Sequence, residues 1–174
     1  KWNRSTRHAF RLTYLVAQIM ADDLDSKDTR RLQRGYSFEN TLSEVSLGIE
    51  YTFWEFDLHE GTPAFAPYMY TGFTYTWYDA LRKTGTLFDP VGRETTYAIP
   101  MVLGLKKTLG TKFLVGLEVG ARYSFTDAID GSANVGNSEV NNVPFGDTTN
   151  NDWYVFTGVT FTYAFGRKPC YCNF

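Results

Sequence analysis

The sequence has no long hydrophobic run. A membrane-crossing helix needs at least roughly 18 consecutive apolar residues, and the longest apolar stretches, such as Ala98 to Leu105, are far shorter. This excludes a transmembrane helix. Excess positive charge is also lacking, since the net charge is −2, so no basic face indicates nucleic-acid binding.

Residues that commonly carry chemistry are scarce as well. The two cysteines cannot by themselves complete a zinc site. The two histidines, His8 and His59, form no Ser-His-Asp order with other residues. We therefore predict no metal, no cofactor and no catalytic residue.

The sequence does contain a strict alternation of apolar and polar residues. From Phe113 to Phe125 the odd positions are apolar or aromatic, whereas the even positions include Glu118, Arg122 and two glycines. A strand places alternate side chains on opposite faces. The same pattern predicts six strands, at residues 7–19, 42–54, 67–78, 96–107, 112–126 and 152–165.

The polar faces of these strands carry charges and glycines, which suit the lumen of a transmembrane β-barrel whose apolar face meets lipid. The charged lumen positions that we single out are Arg11, Glu44, Glu50, Glu118 and Arg122. Such residues mainly plug and stiffen a small barrel. A soluble sandwich is the alternative, with its apolar face inward and these charges in water. Aromatic residues make up 17% of the chain, as expected for girdles at two membrane interfaces.

Connection lengths predict the orientation. Residues 20–41, 79–95 and 127–151 are long and polar, whereas 55–66 and 108–111 are shorter. Outer-membrane barrels have long extracellular loops and short periplasmic turns, which places the C-terminus in the periplasm. Small barrels close with an even number of strands, at least eight. We therefore expect an all-β, antiparallel, up-and-down barrel over residues 1–165, with two further strands before residue 1, a turn at Lys1–Thr6, and a periplasmic tail at 166–174.

The last predicted strand carries a pattern that resembles the insertion signal of outer-membrane barrels, at Thr157, Gly158, Phe161 and Tyr163. Ordinary strand alternation is the alternative explanation. The chain departs from the usual signal because it continues to Phe174.

The tail contains Cys170 and Cys172, two positions apart. An extended chain holds their Cα atoms about 6.6–7 Å apart, the outer limit for a disulfide. An oxidising periplasm does not favour a free thiol. A disulfide to another protein, a strained internal bridge and a disordered tail all remain open.

The first long loop has four aspartates followed by a basic cluster. It allows two interpretations: contact with lipopolysaccharide phosphates, with a divalent ion at the aspartates, or a solvated loop. The residues are Asp22, Asp23, Asp25, Asp28, Lys27, Arg30, Arg31 and Arg34.

Several stretches make the chain similar to the PorG family, the small outer-membrane β-barrels of the type IX secretion system of Bacteroidota. The stretches are Ala21–Asp23, Gln33–Phe38, Ala98–Val102, Glu118–Tyr123, Asn151–Gly158 and Gly166–Cys172. This resemblance implies a non-enzymatic anchor that holds a periplasmic ring, built from a lipoprotein and a soluble ring protein, at the outer membrane. Contact through the tail would then use Arg167, Lys168, Tyr171 and a disulfide from Cys170 or Cys172. The alternatives are a passive barrel, acting as an adhesin or lipopolysaccharide-binding protein through its loops, and a lumen enzyme that lacks a visible nucleophile–base pair.

Overall fold

The computed structural model describes residues 1–25, 27, 29–35, 37–56, 64–84, 87–126, 128–129 and 151–164. Seven strands dominate these ranges: β1 (Trp2–Asn3), β2 (His8–Asp22), β3 (Ser37–Thr52), β4 (Phe65–Thr84), β5 (Leu87–Leu109), β6 (Phe113–Ser124) and β7 (Trp153–Tyr163). A 3-10 turn at Asp23–Asp25 and a short helix, α1 (Thr29–Arg34), lie between β2 and β3.

All seven strands belong to one sheet, and the strand order follows the chain order. Each sequential pair is antiparallel; a single parallel bridge joins Ser37 to Leu87. The prediction of an all-β, antiparallel meander is therefore confirmed. Among the described residues the sheet does not close, because β7 pairs only with β6 and β1 covers β2 for two residues. Closure into eight strands stays a prediction.

The strand ends differ from those expected. The segment 79–95 was predicted as a loop, yet β4 and β5 continue through most of it, with Asp79 opposite Arg93 and Thr84 opposite Leu87. Similarly, β2 and β3 pair as far as Asp22 and Ser37. A two-stranded ladder is held by backbone hydrogen bonds and needs no apolar face, so alternation did not reveal it. The expected turn at Lys1–Thr6 is also partly strand, since Trp2 and Asn3 pair with Phe10 and Ala9.

The two faces of the sheet differ sharply in exposure. On one face Glu44 and Glu50 are 1% and 0% exposed, whereas on the other Leu117 and Phe161 are 59% and 81% exposed. Side chains from distant strands meet on the buried face, as Arg11 of β2 does with Glu118 of β6. The sheet therefore curls around a polar interior and turns its apolar face outward, which is the reverse of a soluble sandwich.

Two glycines and a proline explain one irregularity in the curvature of the sheet. Gly48 and Gly72 lie directly opposite each other, and a Cβ added at Gly48 would overlap the Thr71 carbonyl oxygen. The β4–β5 ladder is interrupted beside them, between Thr71 and Thr74. Pro100 lies across from this interruption and cannot donate a ladder hydrogen bond. The backbones of β3 and β4 therefore approach closely at this point, whereas β4 and β5 lose their backbone pairing there.

We call the end of the sheet at the β5–β6 turn (110–112) the lower end, and the end at the tip of the β4–β5 hairpin the upper end. The lower end contains the start of β2 and the end of β7. In the described part of the chain, no helix is long and apolar enough to cross a membrane.

Candidate functional site

The first feature of the interior is a group of five charged side chains and one tyrosine near the lower end, here called the lower cluster: Lys1, Arg11, Glu50, Tyr68, Lys106 and Glu118. Arg11 makes a bidentate pair with Glu118, with Nη1–Oε1 and Nη2–Oε2 distances of 2.6 and 3.0 Å. The Tyr68 hydroxyl donates to the same Glu118 carboxylate. Such forked pairs are the strong kind of charge-assisted hydrogen bond.

Glu50 is the most enclosed member of the lower cluster. Its carboxylate accepts a hydrogen bond from Lys106 Nζ at 3.0 Å and forms ion pairs with Lys1 and Arg11. Lys106 Nζ also donates to Thr52 Oγ1 at 2.7 Å. A buried carboxylate is expensive unless cations surround it, and here three do. Desolvation by burial lowers the pKa of the Lys1 ammonium, and Glu50 opposes this shift.

The second group, called the upper cluster, consists of Glu44, Arg122, Tyr154, Thr76 and Phe156. Arg122 Nη2 donates to Glu44 Oε1 at 2.9 Å, and the Tyr154 hydroxyl donates to Glu44 Oε2 at 3.2 Å. The Arg122 guanidinium also lies 5.2 Å from the centroid of the Phe156 ring. The cluster joins β3, β4, β6 and β7 across the interior, so it fixes the curvature of the sheet.

Glycines on the inner face make room for these large side chains. A Cβ at Gly104 would overlap the Tyr68 ring, and one at Gly120 would overlap the Arg122 guanidinium. Small residues facing large ones fill a narrow interior without voids. Gly104 and Gly120 are therefore required by the Tyr68 ring and the Arg122 guanidinium beside them.

Both ends of the interior are covered by side chains. At the upper end Ile129 packs on Leu42 and Tyr78, and its backbone oxygen accepts a 2.8 Å hydrogen bond from Asn40 Nδ2. At the lower end Phe56 is buried beneath the Lys106 ammonium, which lies 4.6 Å from the ring centroid. Among the described residues, the charged side chains of both clusters therefore lie in ion pairs, and side chains cover both ends of the interior.

The outer face forms two aromatic bands with aliphatic residues between them. The lower band includes the pairs Trp2–Phe10, Tyr51–Phe53, Trp54–Phe65 and Phe113–Tyr163, and the upper band the pairs Phe73–Tyr97, Tyr75–Trp77 and Tyr123–Trp153. Exposed aliphatic side chains, such as Leu47, Leu103 and Val159, lie between the bands.

A family model for a domain of unknown function, DUF6089, matches residues 1–174. The chain belongs to the DUF6089 family. No curated protein and no solved structure matches it.

The structure brings together all five predicted lumen charges of this DUF6089 chain. Three belong to the lower cluster, Arg11, Glu50 and Glu118, and two to the upper cluster, Glu44 and Arg122. Each is paired across the interior. Within the described ranges, no group of three or more His, Cys, Asp or Glu side chains is placed to hold a metal ion.

The other predicted residues fall into two sets. The insertion-signal residues lie on β7, where Thr157, Gly158, Phe161 and Tyr163 are exposed; their role stays a prediction. The predicted tail contacts lie outside the described residues, namely Arg167, Lys168, Cys170, Tyr171 and Cys172.

Sequence reasoning missed the aromatic partners of the charged clusters. Tyr68 and Tyr154 both occupy inner-face positions and contact Glu118 and Glu44. Their position in the alternation was the available signal, because each is out of phase with the outward aromatic residues of its own strand. Asn40 carried no comparable signal, since its partners, the backbone oxygens of Asp79 and Ile129, are distant in sequence.

Proposed function

We propose that this DUF6089 chain is an integral β-barrel of the bacterial outer membrane that serves, without catalysis, as the anchor of a protein secretion machine. The observation that carries the membrane part is the inverted distribution of polarity. Paired charges are buried inside, and an apolar, aromatic face is exposed outside. Lipid is the solvent for which this distribution is favourable.

The energetic argument compares lipid with water around the outer face. Each large apolar side chain removed from water gains about 1.5–3 kcal/mol, and soluble monomers rarely expose contiguous apolar patches above a few hundred Å². The exposed outer face here extends over six strands, β2 to β7, and carries residues such as Leu12, Leu47, Phe73, Leu103, Leu117 and Phe161. Two aromatic bands at opposite ends suit the two interfaces of a bilayer.

Closure of the barrel is part of the same proposal. An unpaired strand edge in lipid leaves backbone groups unsatisfied, at several kcal/mol each. The edge of β7 opposite β6 and most of the edge of β2 opposite β3 are such edges among the described residues. Two full-length strands between β7 and β2, one of them ending in the two-residue β1, would join the six strands β2 to β7 in an eight-stranded barrel.

The anchoring role rests on the resemblance to PorG-type barrels, together with the character of the interior. Because the charges of the two clusters are held in ion pairs and both ends are covered, the chain fits a structural role better than transport or catalysis. The partners would be the lipoprotein and the soluble ring protein of a periplasmic ring. The attachment would be a disulfide from Cys170 or Cys172, beside Arg167, Lys168 and Tyr171.

The membrane part is tested by fractionation and by migration on SDS gels. The full-length protein should appear in outer membranes, and it should migrate faster before boiling than after, because a closed barrel resists SDS. In a background without native cysteines, Leu24→Cys at the upper end should react with an impermeant maleimide on intact cells, and Glu55→Cys at the lower end should not. Recovery in the soluble fraction would refute the proposal.

The anchoring part is tested separately through the tail. Replacing Cys170 and Cys172 by serine should leave the barrel in the membrane but abolish a reductant-sensitive adduct and block secretion. A matched variant, Ser5→Cys with both native cysteines replaced, controls for the mere presence of a thiol at the lower end. Normal secretion by the double serine variant, with no adduct in the wild type, would show that the covalent anchor is wrong.

A further inference from the structure

Lys107 is a charged residue on the apolar outer face. It lies on β5 between Leu105 and Leu109, which point to the same face and are 44% and 50% exposed. Its cross-strand neighbours are Phe65 on β4 and Val115 on β6. Directly opposed residues in a sheet have Cβ atoms about 4.5–5.5 Å apart, so apolar side chains surround the lysine stem on all four sides.

Lys107 is exposed, and no described carboxylate lies within ion-pairing distance of its ammonium. The other end of the same two strands provides a contrast. There Arg93 on β5 lies directly opposite Asp79 on β4, with an Nε–Oδ1 distance of 3.8 Å. Arg93 is thus paired within the sheet, whereas Lys107 has no carboxylate partner among the described residues.

The height of Lys107 along the barrel wall indicates which kind of anion its ammonium can reach. Phe65 is its direct neighbour, and Phe113 and Tyr163 form an aromatic pair two positions further down the β5–β6 hairpin, with ring centroids 5.2 Å apart. Aromatic residues of this kind mark the depth of lipid headgroups. Lys112, exposed in the β5–β6 turn, adds a second cation just below that level.

We propose that Lys107 binds the phosphate of an anionic phospholipid headgroup at the lower end of the barrel wall. This inference rests on the proposed membrane location. A lysine on an apolar surface lays its carbon stem along that surface and extends its ammonium to the interface, where the phosphates of anionic lipids attract cations. An acidic protein would have to reach the side of the barrel between exposed leucines to make the same contact.

The test uses purified full-length protein in nanodiscs and measures the preference for phosphatidylglycerol over phosphatidylcholine by native mass spectrometry of retained lipid. One cation near a membrane surface contributes about 1 kcal/mol, so Lys107→Gln should lower the preference about fivefold. Lys107→Arg should restore it. Arg93→Gln, an outward change on the same strand at the other end, should leave it unchanged.

The outcomes separate this inference from the proposed function. Normal nanodisc insertion with an unchanged lipid preference in Lys107→Gln would overturn the headgroup site and leave the membrane proposal standing. An unchanged preference together with lost binding of the ring lipoprotein would assign Lys107 to a protein contact and overturn the headgroup site. Failure of the wild type to insert into any nanodisc would overturn both.

Discussion

Glu44→Gln is the most informative perturbation of the interior, because it removes a charge and keeps the side-chain volume. Glu44 and its partner Arg122 are both buried, with side chains 2% and 9% exposed. Breaking a buried ion pair by removing one partner costs about 3–5 kcal/mol. We expect the low end, about 3 kcal/mol, because the new amide oxygen still accepts from Arg122 and Phe156 still faces the guanidinium.

The assay is urea unfolding of the protein in phospholipid vesicles, followed by emission of its four tryptophans. With a slope of about 2 kcal/mol per M urea, the midpoint should fall by about 1.5 M. Adding Arg122→Met should recover most of the loss, because it removes the buried guanidinium that has lost its carboxylate. Glu55→Gln, whose side chain is largely exposed, should change stability by less than about 0.5 kcal/mol.

Two results would refute this reasoning about the upper cluster. A loss below about 1 kcal/mol in Glu44→Gln would mean that water solvates the interior at Glu44. A double variant as unstable as the single variant would mean that packing, rather than the unpaired charge, decides the cost.

Two further predictions concern the outer wall and the inner glycines. Leu117→Arg should destabilise the protein in vesicles by about 2–4 kcal/mol, if Leu117 lies near the midplane of the membrane. Leu24→Arg, at the upper end, should have little effect. Equal effects of the two substitutions in the same urea assay would contradict a lipid-facing position of Leu117. Gly104→Val should cost at least about 1–3 kcal/mol by displacing the Tyr68 ring, whereas Gly92→Val meets open space. A neutral Gly104→Val variant would show that the Tyr68 ring is not fixed by packing against that glycine.

The strand alternation predicted the polarity of each face, because the period of two is a local property of the chain. It correctly placed Leu117 outside and Glu118 and Arg122 inside. It did not predict which inner charges would pair, since Arg11 and Glu118 are 107 residues apart and meet only when the sheet curls. The alternation also did not indicate that Ile129 would cover the upper end of the interior. That residue is positioned by Asn40 and Asp152 from other parts of the chain.

The sequence therefore predicts which residues lie on the outer face better than it predicts which residues contact one another in the interior. On the outer face, Lys107 shows what the alternation of residues cannot predict. It continues the outward phase of Leu103 and Leu105, yet it is charged, and only the cross-strand neighbours Phe65 and Val115 show how apolar its surroundings are.

The strand order has a consequence for how the molecule assembles. Every antiparallel ladder among the described strands joins strands that are adjacent in the chain, so the sheet can grow one hairpin at a time with short loop closures. The interior side-chain contacts are different, since the Arg11–Glu118 ion pair and the Tyr154–Glu44 hydrogen bond span 107 and 110 residues. They can form only after the meander has bent, and we expect this bend to be the late step of folding. Weakening them should therefore accelerate unfolding far more than it slows folding, a difference that stopped-flow kinetics of Glu44→Gln would measure directly.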